Sequence, residues 1–397
     1  MNMVREQTQM RPMHSARTTP ITIERVQGFA LSVRPPVGPV SSLGAMPTRN
    51  GVLIAITSSD GITGWGEIWC NFPPRGNLAR LNLLQDVIIP HLIGCTFESY
   101  EDCRLELETV FARMAIHTGE FGPFKHCLAG IDTALADLAA RKAGLPLAQF
   151  LSPTAKSSVA TYASTPNVDD LSNVLEQIIA SGHRGLKLKI GQGEKTDTAL
   201  LSKCADIAKD RLKIYLDANQ NWTVEDAIEQ MSSLSQYSIG FVEEPISADA
   251  PLSDWAKLAA ALNVPLAGGE NITSQQAFID FIDHGKLGIV QPDVAKWGGV
   301  SGAYKVGQLA AQRNIVCAMH YMGTGLGLAA SIHTLAAIGG SGPVELDSNP
   351  NPLRTDLGEI DLKVNDGHLR VSKAHGHGFI PDPAALKSMT IANFDAS

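Results

Sequence analysis

GLKLKIGQGEKTDTALLSKCADIAKDRLKIYLDANQNWTVEDAIEQMSSLSQYSIGFVEEP, residues 185–245, holds three short apolar runs separated by two longer segments of helical spacing. The runs are GLKLKI (185–190), KIYLDA (213–218) and IGFVEE (239–244), each the length of a buried strand. Between the last two, Thr223-Val-Glu-Asp226 has the form of a capping box with Asp in place of Glu, and predicts a helix running to about Tyr237. The same alternation extends both ways. VATYAS (159–164) precedes it, and VPLAGGE (264–270), LGIVQPD (287–293), IVCAMH (315–320) and PVELD (343–347) follow, with Ser274 placed to cap a helix before QQAFIDFI. Eight strands alternating with seven helices predict an α/β fold with a parallel sheet, closed as a (β/α)7β barrel over residues 151–350. An open doubly wound sheet is the alternative, but TYASTPN after the first strand lacks the phosphate-binding glycines that such a sheet usually carries there.

The first third of the chain has another character. ITIERVQGFALSV and GVLIAITSS, then ITGWGE after the turn Ser59-Asp60-Gly61, read as a β-meander over about 21–66. Three helical patterns follow, the last with Leu128, Ile131, Leu135 and Leu138 on one face and a stop at Gly144 before Pro146. Residues 21–150 are therefore expected to form an α+β domain. Residues 1–20 are expected to be a disordered tail. They have no apolar core of the signal-peptide kind, and Glu6 counts against a transit sequence.

The 397 residues are 44% hydrophobic and 18% charged, which excludes collagen-like and long disordered designs. A net charge of −8 argues against nucleic acid and anionic membranes as partners. The apolar stretch 325–340 is interrupted by Ser331, His333 and Thr334 and is too short to span a bilayer. Six cysteines without a CxxC pair read as free thiols in a reducing cytoplasm.

The strand ends carry the chemistry. Lys187 and Lys189 end the second strand, Asp217 and Asn219 the third, Glu243 and Glu244 the fourth, Glu270 the fifth, Asp293 the sixth, His320 the seventh and Glu345 the eighth. From Lys189 onward the intervals are 28, 26, 27, 23, 27 and 25 residues, one βα unit each, so a barrel gathers these groups at one mouth. Asp217, Glu243 and Glu270 on adjacent strands would repel one another if all were ionised. A divalent cation removes that conflict, and an all-oxygen donor set favours Mg2+. Lys187 and Lys189 point to one face of their strand, where each ammonium should lower the pKa of the other toward a useful base. Asp293 beside His320 would fix the tautomer of the imidazole and raise its basicity.

KLKIG, LDAN, FVEEP, GGEN, QPD followed by GG, and the seventh-strand histidine together resemble the mandelate racemase subgroup of the enolase superfamily. The resemblance runs from about Ile21, since GITGWGE looks like part of that family's capping domain. It implies that residues 21–150 cap the barrel and that 351–397 return to that domain. It implies Asp217, Glu243 and Glu270 as Mg2+ ligands, Lys189 as the base on one substrate face, and Lys187 as its neighbour. His320 paired with Asp293 becomes the acid or base on the other face, and Glu345 a hydrogen-bond donor to the substrate carboxylate. Glu244 is left outside the ligand set. A muconate-lactonising member would have a lysine at the position of Asp293; Lys296 lies three residues later. Asn219, Arg49 and Arg75 are expected to contact substrate, the two arginines by binding a second carboxylate.

The reaction so implied is abstraction of the α-proton of a carboxylic acid through an enediolate. Dehydration of an acid sugar to a 2-keto-3-deoxy acid is the first expectation, with racemisation, epimerisation or lactone cycloisomerisation as alternatives. A non-catalytic protein that binds acid metabolites is the reading from another class. A small-molecule carboxylate is the expected partner, and a cytoplasmic homo-oligomer the expected form. His375-Gly-His377 reads as a loop and Trp297-Gly-Gly as a tight βα turn, while His117 and His126 read as structural or solvated.

Overall fold

A computed structural model describes residues 19–36, 38, 40, 41, 44–166 and 170–397. The expected tail therefore lies outside the described residues apart from its last two positions.

Residues Ile21–Val33, Arg49–Ser58 and Thr63–Ile68 form an antiparallel meander, and Thr390–Ala396 from the far end of the chain pairs beside Ile21–Val33. Helix Phe121–Lys142 lies across this sheet and is buried along most of its length. Glycines allow that approach. A Cβ on Gly66 would stand 2.0 Å from the Gly130 carbonyl oxygen, and one on Gly64 2.1 Å from that of Ala134. The helix expected through LARLNLLQDVIIPHLIG is shorter, Gly76–Leu83. It unwinds through a π turn and a 3-10 turn at Pro90, whose ring cannot continue the ladder.

Eight parallel strands follow in the spatial order 7-6-5-4-3-2-1-8: Ser158–Ser164, Gly185–Lys189, Lys213–Asp217, Ile239–Glu243, Leu266–Gly268, Ile289–Val290, Val316–Cys317 and Pro343–Asp347. The ring closes between the seventh and eighth through a parallel bridge of Met319 with Val344. Seven helices alternate with the strands, including Val224–Ser233 behind a formed Thr223–Asp226 capping box and Gln275–Asp283 capped by Ser274. This is the closed α/β barrel, not the open sheet. Strands five to seven are shorter than their apolar runs. Gly269 turns out of the strand at φ +152°, and Pro292 offers no N–H to a ladder. Inside the ring, Tyr162, Phe241, Ala267, Ile289 and Ala318 pack with Tyr215, which stacks on Phe241 at 4.3 Å. The barrel is thus plugged by apolar side chains, and the polar residues at the strand ends stand on that floor. No helix among the described residues is long and apolar enough to cross a membrane.

Candidate active site

Asp217 and Glu243 are the last residues of the third and fourth strands. Their Cα atoms are register partners, so their carboxylates start side by side. Glu270 lies two residues beyond the fifth strand. All three meet ammonium groups. Lys189 Nζ donates to Asp217, Lys187 Nζ lies 2.8 and 2.9 Å from the two Glu243 oxygens, and Lys296 Nζ is 3.0 Å from Glu270 Oε2. Lys187 also reaches Glu345 at 2.9 Å and Asp217 at 3.5 Å. Gln291 Nε2 donates to Glu243 at 2.6 Å.

The lysines titrate in the opposite direction from the sequence expectation. Burial disfavours both ammonium charges, but Glu243 and Glu345 around Lys187, and Asp217 beside Lys189, outweigh burial and the mutual repulsion and hold both pKa values up. Like charge between the two lysines is the smaller effect; the carboxylates the barrel brings to them decide the direction.

His320 lies beyond the seventh strand. Its Nδ1 is 2.6 Å from Asp293 Oδ2, its Nε2 3.2 Å from Glu270 Oε2 and 3.9 Å from Glu345 Oε2. Burial opposes the charge on the ring, but Glu270, Glu345 and Asp293 together carry the imidazole up to about 9. Asp293 is itself held by the Ala295 N–H at 2.7 Å. Glu345 accepts from Ser164 Oγ and, at 3.3 Å, from the Tyr321 N–H. So Lys189 stands at the Asp217 end of the carboxylate row and His320 at the Glu270 end.

The row excludes soft metals, since it offers only carboxylate oxygens. In the arrangement described, no three His, Cys, Asp or Glu side chains among the described residues are grouped to hold a metal, because an ammonium lies on each carboxylate. The donor chemistry nonetheless fits a hard divalent cation: three carboxylates converge with no softer ligand among them. Against burial, cationic neighbours hold Asp217 and Glu270 below the usual carboxylate range, while burial first, then the Asp217 charge, raises Glu243 to about 7.

Glu244 turns away from the row. Its carboxylate accepts from Gln220 Nε2 and Asn271 Nδ2, and burial followed by the Glu270 charge lifts it to about 8. Asn219 donates its backbone N–H to Asp217 Oδ1 and is half-buried. Arg49 is 3% exposed; its Nη2 is engaged by Asp347 at the end of the eighth strand, while its Nε has no hydrogen-bond partner among the described residues. Arg75 is exposed, at φ +63°, before the short helix Gly76–Leu83. His377 is buried, with its Nε2 at the Trp65 carbonyl. His126 is buried against Trp69 and Arg80, and His117 is exposed in the last turn of its helix.

Two groups at the site were not assigned from sequence. Lys296 bridges Glu270 and Asn271 Oδ1 and sits 4.7 Å from the centroid of Trp69. Its spacing from Asp293 was visible, but its partners depend on how the turn after Pro292 is wound. Glu67, at the end of GITGWGE, is buried against the loop that follows His320, with partners more than 250 residues away in the chain.

Residues 25–152 match the mandelate racemase / muconate lactonizing enzyme N-terminal domain, and residues 170–385 match the family described as enolase C-terminal domain-like. Arabinonate dehydratase of Saccharolobus solfataricus is 29% identical over 337 residues, covering 83% of this chain and 87% of its own. D-galactarolactone cycloisomerase of Agrobacterium fabrum is 28% identical over 345 residues, covering 83% and 88%. A crystal structure of a mandelate racemase/muconate lactonizing enzyme from Bordetella bronchiseptica RB50 superposes with a TM-score of 0.87 at 37% identity, over 94% of this chain and 100% of that one. Members of this superfamily bind Mg2+ and act as lyases or isomerases. With a matching fold, a matching pair of domains and an acidic strand-end site, the chain belongs to the mandelate racemase/muconate lactonizing enzyme family of the enolase superfamily and is an enzyme.

Proposed function

We propose that the protein removes the α-proton of an acid-sugar carboxylate and expels the β-hydroxyl, giving a 2-keto-3-deoxy acid. The observation that carries this reading is the placement of Lys189 and His320 at opposite ends of the Asp217–Glu243–Glu270 row. A dehydration needs a base to take the α-proton and an acid to protonate the departing hydroxyl.

Lys189 Nζ is the base in this reading. Its pairing with Asp217 fixes it at one end of the row and holds its proton on; a cation on Asp217 would weaken that hold and free the amine to take the α-proton. His320 is the acid. At neutral pH an imidazole lifted to about 9 is protonated, and Asp293 on Nδ1 turns Nε2 toward the mouth as the donor. Glu345 and Lys187 form one buried ion pair, in which Lys187 and His320, against burial, hold Glu345 down as a carboxylate; Lys187 is the positive group of the pair available to a substrate carboxylate. Asp217, Glu243 and Glu270 would hold Mg2+, which supplies the positive charge that makes an α-proton acidic. The apolar plug beneath keeps bulk water from the underside of the site.

A cycloisomerase is the second reading, favoured by the similarity to D-galactarolactone cycloisomerase, which matches that to the dehydratase in extent. Incubation with Mg2+ and a panel of aldonates, aldarates and their lactones, in D2O, separates the readings. A semicarbazide-reactive keto acid is expected. Lactone opening without keto product would favour the cycloisomerase. Inertness toward the whole panel would contradict the proposal.

A further inference from the structure

Glu67 is the penultimate residue of the last strand of the capping meander, and three residues of the segment that begins there reach the two barrel loops carrying the acid pair. Glu67 accepts hydrogen bonds from the Thr324 N–H at 2.8 and 3.1 Å, the Thr324 hydroxyl at 2.7 Å and the Gly327 N–H at 2.8 Å. These donors form the N-terminal turn of helix Gly325–Ile338, which starts five residues after His320. The Trp69 N–H donates to the Ala295 carbonyl at 3.1 Å, two residues past Asp293. Asn71 Nδ2 donates to the Met322 carbonyl at 2.9 Å, two residues past His320.

The fit around the Glu67 carboxylate is close. A Cβ on Gly323 would stand 2.3 Å from Oε1 and one on Gly327 2.4 Å from Oε2, so a side chain at either position would push the carboxylate from its present place. A cavity of about 10 Å3 is lined by both Glu67 and Asp293. Tyr321 continues the connection. Its hydroxyl donates to the Gly323 and Thr324 carbonyls, and its N–H donates to Glu345.

We propose that Glu67 is a positioning residue for the His320–Asp293 pair: from the capping sheet it fixes the 321–327 turn, and with Trp69 and Asn71 holds the sixth and seventh barrel loops in one register. Glu67 does not touch the acid pair. It acts through the backbone that follows His320, and a displacement there of about 1 Å is enough to cost roughly a hundredfold in rate. Burial lifts Glu67 to about 7, and the Thr324 and Gly327 donors work against that lift, so the site favours the carboxylate form to the extent that these hydrogen bonds are made. Glutamine keeps one acceptor oxygen and turns an amide N–H2 toward donors.

The inference rests on the proposed reaction only for its kinetic consequence, so its test has two arms. The first uses no substrate. Hydrogen–deuterium exchange of the full-length protein is compared for wild type, Glu67→Gln and Gly327→Ala, the last forcing the carboxylate out from the opposite side. The expected result is at least tenfold faster exchange at amides 319–328 and at Ala295, with the first three barrel strands unchanged, and a displaced His320 ring resonance assigned with His320→Asn. Unchanged exchange at 319–328 in either folded variant would overturn the proposal, and so would faster exchange spread evenly over the whole capping sheet. The second arm uses whichever acid sugar or lactone the panel identifies. Glu67→Gln is expected to lower kcat about 10- to 100-fold with KM changed less than threefold. An unchanged kcat would contradict the inference while leaving the reaction standing. An inert panel would contradict the reaction while leaving the exchange arm to judge Glu67.

Discussion

His333 is buried in helix Gly325–Ile338 and accepts the Ala148 N–H at Nδ1, and burial pushes its pKa down to about 3; His183, also buried, is pushed down to about 4. Both stay neutral in the folded protein while their unfolded counterparts take up a proton near pH 6.5. Between pH 6.5 and about 4 the unfolded chain therefore binds more protons, so stability falls as pH falls, by about 1.4 kcal/mol per unit for each histidine once pH is well below 6.5. His126 and His377, also buried and lowered, add to this slope; denaturant melts from pH 7 to 4.5 are expected to show it, and a folded His333→Gln protein to lose one histidine's share. His320 runs the other way, because Asp293, Glu270 and Glu345 raise it. Asp293→Asn removes one of those carboxylates, so the pKa of the ring should drop by a unit or more, read by NMR, and kcat should fall about 10²- to 10⁴-fold as the acid loses its proton and its tautomer. An unshifted ring would mean that Asp293 is a loop ligand of the Ala295 N–H and nothing more.

At the level of elements, the turn from the sixth strand into helix Gly299–Gln312 shows what packing demands of sequence. Gly298 and Gly299 sit at φ +73° and +60°, and a Cβ on Gly299 would lie 2.3 Å from Asp132 Oδ1. Asp132 belongs to the capping helix, accepts the Ser301 N–H and hydroxyl, and pairs with Arg104. Gly299→Ala should therefore destabilise the fold by about 2–5 kcal/mol, through left-handed strain plus a clash that breaks this junction. A thermal shift within error of wild type would contradict that estimate. Sequence alone showed these glycines as a tight turn. It could not show Asp132, because the contact crosses from one domain to the other. The same limit explains the rest. Asp217, Glu243 and Glu345 were legible because they close or lie within complete apolar runs. Glu270, Asp293 and His320 were legible by interval, although their strands stop earlier, at Gly268, Val290 and Cys317. The titration of the lysines was not legible, because it depends on which carboxylates arrive from other strands. The engagement of Arg49 by Asp347 was hidden in the same way by a separation of 298 positions in the chain.

Over the whole molecule, the chain places its chemistry on one rim and its capping sheet against that rim. The strand Thr390–Ala396 returns from the C-terminal end to cover the edge of Ile21–Val33, which leaves less open edge for pairing with other chains. The capping segment 67–71 then reaches the sixth and seventh loops, so the two units share one site. The site rests on three carboxylates that successive strands bring to one mouth, an all-oxygen donor set that a hard divalent ion would complete. Crystals grown with Mn2+ as a stand-in for Mg2+, measured for anomalous scattering, test this directly. A single strong peak within about 2.0–2.4 Å of oxygens from Asp217, Glu243 and Glu270 together, with Lys189 and His320 to either side, is the predicted result. No peak at the barrel mouth with Mn2+ in large excess, or a peak held by other residues while the lysines keep the three carboxylates, would contradict the account.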